Sequence, residues 1–298
     1  MARKIIYLIN PISGTQGKSS VRELIKKRTR EAGIEFEIMS SSARGQYENL
    51  RQKIRDEHYT DIVVCGGDGT INAIAANLKG QDLNIGIIPM GSGNGLAFTA
   101  KIPSQPTRAL DVIFRGHSSY IDAFTVNGQF SCMLCGIGFD ASVAHAFARQ
   151  KRRGLQTYIK TSLVEYFKSK PYSFEIELPQ KKIKTEAFFI SIANSNQFGN
   201  NFTIAPQASL NDGLLDIVIV KKMSKLVLPF SMISQVTGIN ALQSAQDYTG
   251  EKNIVYIQTP SVKILNPQEA PLHIDGDPQE TAREFRIKII RNCFRLLQ

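Results

Sequence analysis

The feature of this sequence that most constrains its fold is an alternation of strand, glycine-containing turn and helix in the first third of the chain. Apolar strand patterns cover Lys4 to Ile9, Asp61 to Cys65 and Ile85 to Ile88, and a turn with glycine follows each of them. Helical patterns cover Gly17 to Ala32 and Gln46 to Glu57. Repeated strand, turn and helix signals predict a parallel α/β sheet.

The character of the sequence changes after about Arg115. Turn residues such as Asn-Gly and Pro then join a series of strand-like segments, and the only segment with helical spacing of apolar residues is Leu155 to Phe167. The strand-like segments are Tyr120 to Val126, Phe130 to Gly136, Tyr172 to Leu178, Ile183 to Ala193, Leu215 to Val220, Ile254 to Gln258, Val262 to Leu265 and Phe285 to Ile290. This pattern is typical of an antiparallel sandwich or barrel.

We therefore predict two domains, which 298 residues are enough to form. The first is a Rossmann-like parallel α/β domain over residues 1–118, and the second is an antiparallel β-sandwich domain over residues 119–298. The active site is expected in the cleft between them. The prediction leaves open that the last few residues pack back on the first domain.

Composition and charge limit the cellular setting and the partners. The net charge of +10 favours an anionic partner, but no aromatic-interleaved basic motif or helix-turn-helix supports nucleic-acid binding. The longest apolar stretch, Leu226 to Val236, is shorter than a bilayer requires and contains Pro229, and the N-terminus lacks a signal-peptide pattern. We expect a cytoplasmic protein whose four cysteines are buried and reduced.

The first glycine turn, Asn10 to Gly14, directly follows the first strand. Together with Gly17-Lys18-Ser19 it approaches a Walker-type loop, but that loop requires glycine where Ile12 stands. A Walker-type NTPase is therefore disfavoured. Contact with a phosphate through backbone N–H groups and Ser13 remains sensible.

The second glycine turn runs from Gly66 to Asn72, and glycines on both sides of Asp68 allow a phosphate chain to approach the backbone. The helix that starts near Thr70 directs its unsatisfied N–H groups to the same place. An acid in this position suits a phosphate accompanied by Mg²⁺ or by a proton in transfer. The dinucleotide fingerprint is excluded because it needs glycine where Asn72 stands.

The third glycine turn, Gly91 to Ala97, also lies between a strand and a predicted helix. Any one of the three turns alone is typical of an ordinary connection between a strand and a helix. The carboxyl ends of successive parallel strands meet at one edge of the sheet, where α/β proteins bind their ligands. The three turns together therefore predict a phosphate-binding site.

These segments resemble the diacylglycerol kinase catalytic-domain family, which includes bacterial lipid kinases and the sphingosine and ceramide kinases. The matching motifs occur in family order over nearly the whole chain. They are Asn10 to Gly14, Gly66 to Thr70, Pro89 to Asn94, Gly136-Ile137-Gly138-Phe139-Asp140, Asn211 to Asp216 and Asp275-Gly276-Asp277. A lone Gly-Gly-Asp-Gly occurs also in NAD kinases, whereas the full series is highly specific.

The resemblance implies an ATP-dependent lipid kinase that phosphorylates a hydroxyl of diacylglycerol, a sphingoid base or a related membrane lipid. It implies a nucleotide-binding set, one position of which directly follows the predicted strand Ile34 to Met39 and is Ser40 or Ser41. The set is Asn10, Pro11, Ile12, Ser13, Gly14, Ser40, Gly66, Gly67, Asp68, Gly69, Thr70, Ile71, Asn72 and Ser92. It also implies a structural Mg²⁺ held by Ser209, Asp212 and Leu214, in addition to the Mg²⁺ bound with the nucleotide.

Two carboxylates receive catalytic roles from the resemblance. The family motif usually ends in glutamate, taken as the proton acceptor, and Asp277 stands here with a side chain one methylene shorter. Asp68 is expected to orient the catalytic Mg²⁺ or the acceptor hydroxyl, and Asp68 and Asp275 are the alternative bases. A plain surface turn is the competing interpretation of Asp275 to Asp277.

Membrane contact is suggested by basic residues on both sides of the helix at Leu155 to Phe167. These residues are Arg149, Lys151, Arg152, Arg153, Lys168 and Lys170. Basic residues that flank an apolar helix stripe suit peripheral association with an anionic membrane, while a core-facing stripe with solvated charges is equally compatible. A homodimer also stays open.

Two other functions are compatible with part of the sequence. An NAD kinase-like enzyme would share the Gly-Gly-Asp-Gly turn and the two-domain plan, although Gly91 to Asn94 and the terminal Asp-Gly-Asp argue against it. A catalytically silent lipid- or nucleotide-binding module is the second alternative, because Asp277 replaces the family glutamate.

Overall fold

The computed structural model describes residues 3–11, 18–42, 47–150, 155–197, 204–222 and 253–298. The chain forms two compact units. Unit 1 consists of Met1–Asp122 and Arg291–Gln298, and unit 2 consists of Ala123–Ile290. The predicted division into functional domains at residue 118 stays a prediction.

Unit 1 alternates strands and helices. Its elements are β1 (Lys4–Ile9), α1 (Lys18–Glu31), β2 (Glu35–Ser40), α2 (Glu48–Asp56), β3 (Asp61–Gly66), α3 (Asp68–Leu78), β4 (Asn84–Pro89), α4 (Gly95–Thr99) and α5 (Pro106–Arg115). Strand β5 (Ser118–Val126) then leads into unit 2.

The sheet of unit 1 is parallel, with the strand order β2, β1, β3, β4. All six residues of β3 are buried, and five of the six residues are buried in each of β1 and β4. Near-continuous burial is typical of parallel strands covered on both faces. Because β1, β3 and β4 are parallel, their carboxyl ends lie at one edge of the sheet, and the three glycine turns begin there.

Unit 2 is dominated by antiparallel strands. Its further elements are β6 (Gln129–Ser131), β7 (Leu134–Gly138), α6 (Phe139–Ala148), α7 (Leu155–Lys168), β8 (Tyr172–Leu178), β9 (Lys181–Ala193), β10 (Leu215–Lys221), β11 (Ile254–Thr259), β12 (Ser261–Leu265), β13 (Leu272–Ile274), β14 (Asp277–Gln279) and β15 (Glu284–Leu297).

Strand β9 organises unit 2 because it pairs antiparallel with β7, β8 and β10. Strands β8 and β15 each pair with β12, and β13 pairs with β7 and β14, again antiparallel. The inward side chains of these strands form one hydrophobic cluster, which includes Phe124, Ile190, Ile217, Ile264 and Phe285. Burial of this apolar area supplies the main favourable free energy of folding.

The predicted fold class is confirmed: parallel strands in an N-terminal α/β part are followed by antiparallel strands in a C-terminal part. The predicted strand Tyr172 to Leu178 coincides with β8. The stretch Leu226 to Val236 lies outside the described residues. Among the residues that the structure describes, no helix has the length and apolar character needed to cross a bilayer.

One predicted strand was wrong in detail. The segment Phe130 to Gly136 is divided between β6 and β7, because β6 pairs with β5 whereas β7 pairs with β9 and β13. The chain changes partners at Cys132 and Met133. Helix α6, which follows Gly138 (φ 103°), was not predicted, because Leu155 to Phe167 was the only segment of this region with helical spacing.

Strand β15 is longer than the predicted Phe285 to Ile290. It alternates buried and exposed residues up to Ile289, and this alternation is interrupted where Asn292 adopts φ 49°. The Asn292 backbone N–H donates to Oδ1 of Asp122 at 2.8 Å. Beyond it, Arg295 and Leu296 pair in parallel with β4, so the end of β15 extends the sheet of unit 1.

Gly138 provides a test of the close packing between β7 and β9. An ideal Cβ at Gly138 would lie 2.5 Å from the Phe188 carbonyl oxygen, and the φ of 103° also disfavours a side chain. We expect Gly138→Ala to lower the free energy of unfolding by more than about 2 kcal/mol in urea titrations.

Gly128→Ala is the matched control for the Gly138 substitution. Gly128 also has a positive φ, of 86°, but a Cβ there meets no described atom within 4 Å. Its cost should be about 1 kcal/mol, from backbone strain alone. Equal losses in the two variants would contradict the steric argument at Gly138.

Candidate active site

The first turn of unit 1 is connected to the second by Asn10. Its backbone N–H donates to the Cys65 carbonyl at 3.0 Å, and its Nδ2 donates to Oγ1 of Thr70 at 2.7 Å. Pro11 is exposed, and the predicted contacts Ile12, Ser13 and Gly14 lie outside the described residues. The end of β1 is thus joined to the start of α3.

The second and third turns touch through their backbones at Gly67 and Gly91. A Cβ at Gly91 would lie 2.5 Å from the Gly67 Cα, and one at Gly67 would lie 3.0 Å from the Gly91 Cα. The Met90 N–H also donates to the Gly66 carbonyl at 2.9 Å. This approach is open only to residues without a side chain.

Asp68 binds the second turn to the start of α4. Its Oδ2 accepts the Gly95 N–H at 3.0 Å, and its Oδ1 accepts the Leu96 N–H at 3.3 Å. Burial raises the pKa of Asp68, and hydrogen bonds from backbone N–H groups oppose that rise. Both carboxylate oxygens therefore help to position the third turn.

The third turn is also closed internally by Asn94, which adopts a left-handed conformation with φ 54°. Its Oδ1 accepts the Gly91 N–H at 2.9 Å, and its Nδ2 donates to the Gly91 carbonyl at 2.8 Å. Ser92 is exposed within this turn.

Of the other described members of the predicted nucleotide set, Ser40 ends β2 at the same edge, and Gly69, Ile71 and Asn72 lie in the first turns of α3. The Ser41 N–H donates to the Ile9 carbonyl at 2.9 Å, with Ser41 buried and Ser40 exposed. Gly67 precedes the first turn of α3, whose unsatisfied N–H groups favour an anion. The edge thus combines backbone N–H donors, the Asp68 carboxylate and small side chains, a set that suits a phosphate accompanied by a cation.

In unit 2, Asp275 and Gly276 form the two-residue turn of the hairpin between β13 and β14. Their φ values are 51° and 83°, and Ile274 pairs with Asp277 across the turn. Oδ1 of Asp275 accepts the Ser131 hydroxyl at 2.7 Å and the Leu134 N–H at 3.0 Å. Asp275 therefore holds the hairpin, while Asp277 is exposed at the first position of β14.

Sequence reasoning assigned no role to His273, which contacts this turn. The Gly276 N–H donates to Nδ1 of His273 at 3.2 Å, and Nε2 of His273 lies 3.4 Å from Oδ2 of Asp140. The recognised motif Gly136 to Asp140 contains the acid, but none of the sequence motifs contains the histidine. Its position before Asp275 was the available signal.

The predicted ligands of the structural Mg²⁺ lie in the turn before β10. The Leu214 N–H donates to Oδ1 of Asp212 at 2.9 Å, and the hydroxyl of Ser209 donates to Oδ1 of Asn211 at 3.1 Å. Among the described residues, no cluster of three or more His, Cys, Asp or Glu side chains could hold a metal. A site here would depend on carbonyl oxygens, Asp212 and water, which suits Mg²⁺.

Asp216 provides an independent indication that a cation fits near this turn. It is fully buried, its Oδ1 accepts hydrogen bonds from Tyr256 and Gln258, and its Oδ2 has no partner among the described residues. Burial raises its pKa to about 6. A buried carboxylate oxygen without a donor is the kind of atom that a nearby cation stabilises.

Two family models match successive parts of this chain. The model of the diacylglycerol kinase catalytic domain matches residues 4–126, and that of the YegS C-terminal NAD kinase beta sandwich-like domain matches residues 134–289.

Two curated relatives are similar over most of their length. A protein of Xanthomonas campestris pv. campestris named "Probable lipid kinase YegS-like" is 27% identical over 94% of this chain and 93% of its own. The "Diacylglycerol kinase" of Bacillus subtilis is 24% identical over 92% of this chain and 89% of its own.

A solved structure shares the fold. It is the crystal structure of a diacylglycerol kinase from Bacillus anthracis str. Sterne, with a TM-score of 0.75 at 19% identity, and it covers 99% of this chain and 96% of that chain.

The contact between Gly67 and Gly91 leads to a direct test of the three-turn edge. Gly91→Ala places a Cβ against the Gly67 backbone and should separate the second turn from the third. We expect the Kd for ATP, measured by calorimetry, to rise by about tenfold or more, because that corresponds to about 1.4 kcal/mol of lost binding.

Gly80→Ala serves as the control for this substitution in unit 1. Gly80 has a positive φ, of 78°, but a Cβ there meets no described atom within 4 Å. Its ATP affinity should match that of the unaltered protein. Unchanged ATP binding by Gly91→Ala would show that the close approach of the two turns is unnecessary.

Proposed function

Because this chain belongs to the lipid kinase family that combines the diacylglycerol kinase catalytic domain with the YegS C-terminal domain, it is a kinase, and we propose that it transfers the γ-phosphate of ATP to a hydroxyl of a membrane lipid. The observation that carries the proposal is that hydrogen bonds hold the starts of the glycine turns together. The Asn10 side chain donates to Thr70 and so joins the first turn to the second, and Asp68 accepts from Gly95 and so joins the second to the third. Phosphoryl transfer depends mainly on positioning and charge neutralisation, which such an edge supplies.

The phosphates of ATP would bind at the carboxyl edge of the unit 1 sheet. Backbone N–H groups of the turns and the first turn of α3 would donate to the phosphate oxygens. The proposed set is the nucleotide-binding set predicted above, including the side chains of Asn10, Ser40 and Ser92. Asp68 would keep the second and third turns in register during binding.

Mg²⁺ would be held in two places. One ion would arrive with ATP at the turns near Asp68, and a structural ion would be held by Ser209, Asp212 and Leu214. When bound, Mg²⁺ neutralises negative charge on the phosphates and on nearby carboxylates. The buried Oδ2 of Asp216, which has no hydrogen-bond partner within the described part of the chain, supports the structural position.

Asp277 is the proposed proton acceptor. In the transfer, the lipid hydroxyl oxygen forms a bond to the γ-phosphorus, the bond from that phosphorus to the bridging oxygen breaks, and ADP leaves. The hydroxyl proton passes to the Asp277 carboxylate. Asp275 is less suited to this step because its Oδ1 accepts hydrogen bonds from Ser131 and Leu134.

The lipid acceptor would be diacylglycerol, a sphingoid base or a related lipid with a free hydroxyl. The "Diacylglycerol kinase" name of the Bacillus subtilis relative favours diacylglycerol as the first candidate to test. An NAD kinase activity is the alternative that the same assay must measure.

A surface on α7 supports access to a lipid bilayer. Leu163, Val164 and Phe167 are large apolar residues with exposed fractions of 55%, 44% and 72%. Exposed Lys160 and Lys168 lie on the same helix. Apolar side chains between basic ones match an anionic membrane interface, so the protein would associate peripherally with it. The flanking residues Lys151, Arg152 and Arg153 lie outside the described residues.

The proposed activity is tested by incubating the protein with labelled ATP and a total lipid extract, with NAD in a parallel reaction. We expect a labelled lipid and no labelled NADP. Asp277→Asn should fold normally and lose at least about 10²-fold in turnover, since a positioned base contributes roughly that much.

Asp277→Glu is the matched variant, because it keeps the carboxylate and adds the methylene that family members carry. Its turnover should stay within about tenfold of the unaltered protein, as expected when the proton acceptor is retained. Equal turnover in Asp277→Asn and the unaltered protein would remove Asp277 from the mechanism. Labelled NADP without labelled lipid would replace the proposed function.

Membrane contact is tested with vesicles that contain anionic lipid. The double variant Leu163→Ser with Phe167→Ser should weaken vesicle binding by about tenfold or more. Full burial of two large apolar side chains contributes several kcal/mol, so even partial insertion exceeds the roughly 1.4 kcal/mol that corresponds to tenfold. Binding of the unaltered protein should fall as salt is added.

Tyr120→Ser is the control for the vesicle experiment, since Tyr120 is a large exposed residue of unit 1 with an exposed fraction of 49%. It should bind vesicles like the unaltered protein. Salt-independent binding, or equal binding by the α7 variant, would contradict a membrane surface on α7.

A further inference from the structure

A buried histidine supports the hairpin turn that precedes Asp277. The side chain of His273 is 3% exposed, and its Nδ1 accepts the Gly276 N–H at 3.2 Å. Gly276 is the residue directly before Asp277. The backbone that presents the proposed proton acceptor is therefore bonded to an imidazole.

The hydrogen bonds of His273 select one form of its ring. Because Nδ1 accepts a backbone N–H, it must carry a lone pair. The ring proton is then on Nε2, which lies 3.4 Å from Oδ2 of Asp140. A carboxylate on one ring nitrogen commonly fixes which tautomer the ring adopts.

Asp140 is itself held at the start of α6. Its Oδ1 accepts the Ala141 N–H at 2.8 Å, and its side chain is 10% exposed. Nε2 of His145, one turn further along α6, lies 2.8 Å from the Leu272 carbonyl in β13. Helix α6 and strand β13 are thus joined at two successive residues, Leu272 and His273.

Gly136 makes this arrangement possible. An ideal Cβ at Gly136 would lie 1.8 Å from Oδ2 of Asp140 and 2.5 Å from Nε2 of His273. The Asp140 carboxylate and the imidazole occupy the space that any other residue would fill. The motif Gly136 to Asp140 therefore has a physical purpose: it leaves room for the contact between the acid and the histidine.

We propose that His273 is a positioning residue for the kinase reaction: its Nε2-protonated ring, oriented by Asp140, holds the Gly276 backbone and so fixes where Asp277 meets the acceptor hydroxyl. The catalytic part of this inference depends on the proposed function. His273 touches neither substrate nor phosphate in this role. Its effect should fall on turnover, because a displacement of about 1 Å of a reacting group can cost about 10²-fold.

Two substitutions separate the hydrogen bond from the packing of the ring. His273→Asn places Oδ1 where Nδ1 stands and can still accept the Gly276 N–H, whereas His273→Leu fills similar space without an acceptor. We expect His273→Leu to lower kcat for lipid phosphorylation by about 10- to 100-fold with an unchanged KM for ATP. His273→Asn should retain at least about tenfold more kcat than His273→Leu.

Equal losses in the two variants, or a loss expressed in the KM for ATP, would overturn the positioning role. Thermal unfolding of both variants checks that unit 2 remains folded. If His273→Leu does not fold, the comparison of His273→Asn with the unaltered protein still applies: a loss of 100-fold in the Asn variant would contradict the proposal.

A spectroscopic measurement on the unaltered protein tests the ring without any activity assay. Nitrogen-15 labelling of histidine should show the neutral Nε2–H tautomer for His273 near pH 7, and hydrogen exchange should show a protected Gly276 amide. The opposite tautomer, or rapid exchange at Gly276, would overturn the inference. Absence of kinase activity with the expected tautomer would instead contradict the proposed function.

Discussion

The close contact between the Gly67 and Gly91 backbones determines the shape of the candidate site in unit 1. A side chain at either position would separate the second turn from the third. The Asp68 carboxylate then accepts the N–H groups of Gly95 and Leu96, so a partly buried charge and the start of a short helix stabilise each other. Loss of either contact would affect the whole edge that we propose binds the phosphates.

In unit 2 a glycine also makes room for a close contact, here between two side chains. Gly136 provides space, and the Asp140 carboxylate and the His273 ring occupy it. The ring in turn accepts the Gly276 N–H, while Asp275 binds Ser131 and Leu134. The hairpin before Asp277 is therefore fixed by hydrogen bonds to β6 and β7 and, through His273, to Asp140 of α6, which is how a rigid support places an exposed carboxylate.

Much of the fold could be predicted from the sequence because strand and helix periodicities are local. Strand β8 was predicted with its observed ends, and so was the succession of parallel strands by antiparallel ones. The division between β6 and β7, helix α6 and the end of β15 could not be predicted. Each depends on which strand pairs with which, and pairing partners are distant in the chain.

The sequence by itself determined the motifs of the site: the glycines, Asp68, and the terminal Asp-Gly-Asp. Only the tertiary structure decided what each carboxylate does. Asp68 accepts a hydrogen bond from Gly95, 27 positions away in the chain, and Asp275 accepts one from Leu134, 141 positions away. Neither contact is visible in the local spacing of the sequence. Hydrogen bonds require matched distance and direction, and the fold alone brings such distant donors and acceptors together.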